Sequence, residues 1–113
     1  MKTTNNRNIS ETEARTTDDQ VTRRQILEEA INAVCTDRNL QYGAPENSFT
    51  AIAVMWTSYL NAKGYDITLY AHDVAMMLAL FKVARIITSE TPKPDTYTDA
   101  AGYIACAGGI ACE

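Results

Sequence analysis

Between Val74 and Ile87 the chain reads VAMMLALFKVARII, apolar at every position except Lys82 and Arg85. A run of that length with no turn residue, apolar all round in helical projection, is a helix that wants cover on every side. It falls short of the ~20 apolar residues that span a bilayer, so other helices must supply the cover. Lys82 and Arg85 are three residues apart and project about 60° from each other, on one face of that helix. Two cations on a central helix are costly unless paired or solvated. They either reach the surface and pair with structural carboxylates, or line a pocket for an anion such as a phosphate.

Three further helical patterns can pack around this run. The first spans about 18–37, with Asp18 or Asp19 as cap and Val21, Ile26, Ala30, Ala33 and Val34 at helical spacing. The second spans 45–62, with Pro45 in the first turn, Phe49, Ile52, Ala53, Trp56, Tyr59 and Leu60 on the apolar side, and Gly64 as terminator. The central helix spans 68–88 with Thr68 as cap, and the last spans 95–111 after Pro92 and Pro94. No strand-like alternation bounded by a hairpin turn occurs. The expected class is all-α, a compact four-helix arrangement with short connections. Residues 1–17 are mostly polar and aperiodic and are expected to form a flexible, disordered tail, leaving 18–113 as one helical domain.

Composition removes several function classes. A net charge of −4 and a pI of about 4.9 argue against binding a nucleic-acid duplex. Three cysteines without CxxC spacing argue against a disulfide framework or a zinc site. The single histidine, His72, excludes a multi-His metal site within one chain. Residues 2–20 are mostly polar, so no signal peptide or membrane span is expected, and the expected location is the cytoplasm.

The last helix supplies candidate partners for the two cations. Asp95, Asp99 and Tyr103 recur every four residues along one stripe. Asp95 can also act as an N-cap, and Thr96 with Asp99 approximates a capping box. Ala101, Gly102, Ala105, Gly108 and Gly109 beside them permit close backbone approach, within the fold or between subunits, so a homo-oligomer is expected. The turn Gln41-Tyr42-Gly43-Ala44-Pro45-Glu46-Asn47 adds Tyr42, which can stack on a base, and Asn47, which can hydrogen-bond one. Glu46 complements the helix dipole or meets a metal or a base edge. Glu28 and Glu29 on the first helix form a solvated face or join a metal site.

The strings Gln41-Tyr-Gly-Ala-Pro-Glu-Asn-Ser-Phe49, Asp73-Val-Ala-Met-Met77, Lys82-Val-Ala-Arg85 and Asp95-Thr-Tyr-Thr-Asp-Ala-Ala-Gly-Tyr103 occur in that order. Together they resemble a family of small phage and prophage proteins of unassigned function. That resemblance implies a phage origin, and the host cell cytoplasm as location, without implying an activity. More distantly the chain is similar to the all-α MazG-type NTP pyrophosphohydrolases. Those enzymes gather magnesium between a Glu-x-x-Glu helix and a Glu/Asp-x-x-Asp helix. Asp99 fits the final aspartate of that pattern. Its pair position holds Thr96, with Asp95 one place earlier, and Glu28-Glu29 stands where Glu-x-x-Glu would be.

The leading expectation is a binding protein for a nucleotide or related phosphorylated ligand, which could sequester a host immune nucleotide signal. Its expected ligand residues are Tyr42, Glu46, Asn47, Lys82, Arg85, Asp95, Asp99 and Tyr103, with no metal or cofactor. The alternative is a magnesium-dependent MazG-like pyrophosphohydrolase acting on nucleotide pools, with Glu28, Glu29, Glu46, Asp95 and Asp99 around Mg2+. A second alternative is a non-catalytic protein-interaction module in which the charged residues pair with one another and leave no cavity.

Overall fold

The computed structural model describes residues 21–36 and 44–113. Helix α1 (Arg23–Ile31) continues into a π-helical turn over Asn32–Thr36. It is followed by α2 (Pro45–Ala62), α3 (Ala71–Thr88) and α4 (Pro94–Ala111). No strand occurs among the described residues. The all-α, four-helix expectation therefore holds. The expected tail over 1–17 and the caps Asp18 and Asp19 lie outside the described residues.

The helix ends have local causes. Thr22 caps α1: its Oγ1 accepts from Gln25 N–H at 3.2 Å, and Gln25 Oε1 accepts from Thr22 N–H at 2.8 Å. Pro45 opens α2, as expected, with Glu46 in its first turn. The end of α2 is a Schellman motif: Gly64 N–H donates to Asn61 O, and Tyr65 N–H donates to Leu60 O, each at 3.0 Å. Gly64 sits there at φ +100°, a conformation that favours glycine. The connection to α3 is pinned from α2. Asn61 Nδ2 donates to Tyr65 O at 2.6 Å and to Ile67 O at 3.0 Å, and Thr57 Oγ1 accepts from Leu69 N–H at 2.8 Å.

Two expected caps move. Helix α3 starts at Ala71 rather than beside Thr68, because Asp73 Oδ2 takes the Tyr70 N–H at 2.9 Å and fixes the entry there. Helix α4 starts at Pro94, so Asp95 lies inside the first turn instead of capping it. The fixed φ of Pro94 suits a first helical position. Asp99 turns to Lys82, so the Thr96–Asp99 capping box does not form.

Helix α3 packs most extensively on α4 and also lies against α2, while α1 packs on α4. Their shared core contains Phe49, Ala53, Val74, Ala75, Cys106 and Ala107. Gly102 lets α1's π-helical extension come close to α4: a Cβ on it would lie 3.1 Å from Val34 Cγ1. The same cannot be said of Gly108 and Gly109, which have nothing within 4 Å.

One expectation is revised. Helix α3 is not covered all round. Val74, Ala75 and Ala79 are buried, but Met76, Met77, Leu80, Phe81, Val83 and Ile87 are exposed. Neighbours within one chain take up only about half of the helix circumference. No helix among the described residues is long and apolar enough to cross a membrane.

Candidate functional site

The π-helical turn, the start of α2, and the middles of α3 and α4 enclose a cavity of about 520 Å³. That lies within the ~300–1,000 Å³ usual for small-molecule sites. Val34, Phe49, Ile52, Leu78 and Cys106 give it apolar walls. Asn47, Ser48, Thr98, Asp99 and Tyr103 give it polar groups. The rings of Phe49 and Tyr103 lie 6.2 Å apart between centroids, tilted by 56°. Phe49 is 5% exposed, so it belongs to both the core and the cavity wall, and it holds Tyr103 in place. Apolar walls with a few directed polar groups are the usual make-up of a small-molecule site.

The charges at the cavity are balanced. Asp99 lines it, and its Oδ2 lies 2.9 Å from Lys82 Nζ. The Lys82 side chain is only 20% exposed, and its ammonium also lies 5.8 Å from the Phe81 ring centroid. Lys82 therefore holds a partly desolvated positive charge behind Asp99, which neutralises it; Lys82 does not itself line the cavity. Burial is the main cause that raises the Cys106 thiol above its ordinary value of 9.0; the negative charge of Glu46 and then Cys35 push it the same way. Such a thiol stays protonated at neutral pH and acts as a small apolar wall residue.

The structure sorts the expected site residues into two groups. Asn47, Asp99 and Tyr103 line the cavity together, with Lys82 joined through Asp99. Glu46 is half-buried in the first turn of α2 and does not line it. Arg85 is exposed, with its guanidinium carbon 5.8 Å from the Phe81 ring centroid rather than beside the cavity. Asp95 is exposed in the first turn of α4. Tyr42 lies outside the described residues. The stripe Asp95–Asp99–Tyr103 thus divides, because α4 begins a turn before the cavity does.

The five carboxylates expected around magnesium do not gather. Glu28 is exposed and pairs with Arg24 at 3.4 Å. Glu29 is exposed as well. Among the described residues, no three His, Cys, Asp or Glu side chains come together as a metal site would require. Magnesium needs several hard oxygen donors in near-octahedral geometry, and this donor set does not fit it.

Several wall residues were not singled out as site residues from the sequence. Phe49, Ile52 and Leu78 carry only the apolar spacing of core positions. Ser48 and Thr98 carry no signal that separates them from other surface hydroxyls. Ala33 and Val34 reach the wall through the π-helical turn, which the helical periodicity of 18–37 does not foretell.

No solved structure matches the chain. It is similar to the Gene 55 protein of Mycobacterium phage D29, with 38% identity over 81 residues, covering 72% of this chain. The chain spans about half the length of that curated relative. That relative is a phage protein, in keeping with the phage resemblance of the sequence. Residues 25–111 match the family model DUF6378, described as a domain of unknown function, and the chain belongs to that family.

Proposed function

We propose that the protein is a non-catalytic binding protein for a nucleotide or a related phosphorylated small molecule. The cavity between the π-helical turn, α2 and α4 carries this reading. The base-like end of the ligand enters between Phe49, Ile52, Leu78 and Tyr103, and Asn47 with Thr98 meets its polar edge. The anionic end lies toward Lys82, which turns from Asp99 to the phosphate on binding. Likeness to a phage protein supports a ligand present in infected cells, such as a host immune nucleotide signal held away from its receptor.

The test is calorimetry in EDTA against mono-, di- and triphosphates of the common nucleosides and against cyclic nucleotides. Saturable binding, with the ligand recovered unchanged after denaturation, supports the proposal. Absence of binding to the whole panel overturns it. Release of pyrophosphate from a triphosphate in magnesium, abolished by EDTA, overturns it in favour of hydrolysis.

A further inference from the structure

Helix α3 carries a face that its own chain leaves bare. Met76, Met77, Leu80, Phe81, Val83 and Ile87 are between 37% and 75% exposed. At 100° per residue they fall within an arc of about 160° on one helix. Together they show roughly 600 Å² of apolar side chain, as much as the largest patch a monomer ordinarily exposes. A stable interface takes about 800 Å² from each partner, so this patch supplies most of one side. The core beneath is thin: Val74 is the one large side chain that is fully buried among the described residues. Domains of about this size bury a modest fraction of their surface and gain most from added burial.

We propose that this face is the seam of a homodimer, in which α3 packs antiparallel on α3 of a second copy about a two-fold axis near Leu80. The inference does not depend on the cavity. Two observations select a second copy over another partner. The face needs cover whenever the chain folds, and a second copy is the one polypeptide present at every such event. The face is also self-complementary in charge. Asp73 lies seven residues before Leu80 within the exposed arc, and Arg85 lies five residues after it on the flank. With a rise of 1.5 Å per residue, a two-fold at Leu80 brings Arg85 within about 3 Å, along the axis, of Asp73 in the other copy. Each end of the seam thus brings Arg85, on the flank of one copy, level along the axis with Asp73 of the other, and the two helix dipoles oppose each other.

The test is light scattering after size exclusion on the full chain at about 100 µM, with the Leu80→Asp variant alongside. The parent should run at twice the 12.5 kDa chain mass. The variant should run at the single-chain mass, with helical circular dichroism retained. A second variant covers the case in which Leu80→Asp fails to fold. Leu80→Cys, made with Cys35→Ser and Cys112→Ser, should form an intermolecular disulfide under mild oxidation, because a two-fold near position 80 places the two thiols together. A parent that stays monomeric overturns the proposal. So does a dimer that survives Leu80→Asp, or one that fails to cross-link through Leu80→Cys.

Discussion

Replacing Asp99 by Asn should tighten the binding of a phosphorylated ligand. Asp99 lines the cavity and neutralises Lys82 across 2.9 Å. A phosphate that reaches Lys82 must also approach the Asp99 carboxylate. At about 6 Å, with an effective dielectric near 20, that repulsion is ~3 kcal/mol per unit charge. The Asp99 side chain is 43% exposed, so water and salt reduce the effect to about 1 kcal/mol, or roughly five-fold in Kd. Asn preserves shape and an acceptor for Lys82, so the lost ion pair should cost folding only ~0.5–1 kcal/mol. Calorimetry with the parent and Asp99→Asn, at low and high salt, measures the change, and urea unfolding measures the cost. The gain should shrink as salt rises, while Lys82→Met should weaken binding at every salt concentration. If Asp99→Asn binds the phosphorylated ligand more weakly than the parent, Asp99 itself holds the ligand and the charge argument fails.

Other perturbations address the frame of the site. Phe49→Ala removes a buried ring that backs Tyr103 and should cost about 3–5 kcal/mol in urea unfolding. Thr57→Val leaves the Leu69 N–H without its 2.8 Å acceptor and should cost about 1–2 kcal/mol, with faster amide exchange at Leu69. The raised Cys106 thiol should alkylate far more slowly at pH 8 than Cys112 does. Because folding holds that thiol protonated, its contribution to stability is full below pH 9.0 and is lost as pH rises above it.

The helices were legible because local chemistry sets them. Pro45 and Gly64 bracket α2 by the fixed φ of one and the positive φ of the other. The caps of α3 and α4 were less so, since Thr68, Asp73 and Asp95 all satisfy the same local rule and the surrounding turn chooses among them. At the site, Asn47 was legible as a polar residue of the turn that opens α2, and Asp99 and Tyr103 as neighbours along one stripe of α4. Arg85 was not separable from Lys82, because three residues of spacing place both on one face while α4 reaches only one of them. The cavity walls were hidden, because a wall residue such as Phe49 or Ile52 has the same spacing as a core residue. The exposure of α3 could not be read either. An apolar helix demands cover, but its sequence does not say whether its own chain or a second one provides it.

The central claim is that the cavity between α2 and α4 holds the base-like end of a nucleotide. The most direct measurement is a titration of isotope-labelled protein with each nucleotide of the calorimetry panel, cyclic nucleotides included, followed by nuclear magnetic resonance in EDTA. At least one should shift the Asn47 side-chain amide and the Phe49 and Tyr103 ring signals together, saturably, and leave the exposed start of α1 unmoved. Saturating shifts confined to other surfaces, or none with any nucleotide of that panel, would contradict this reading.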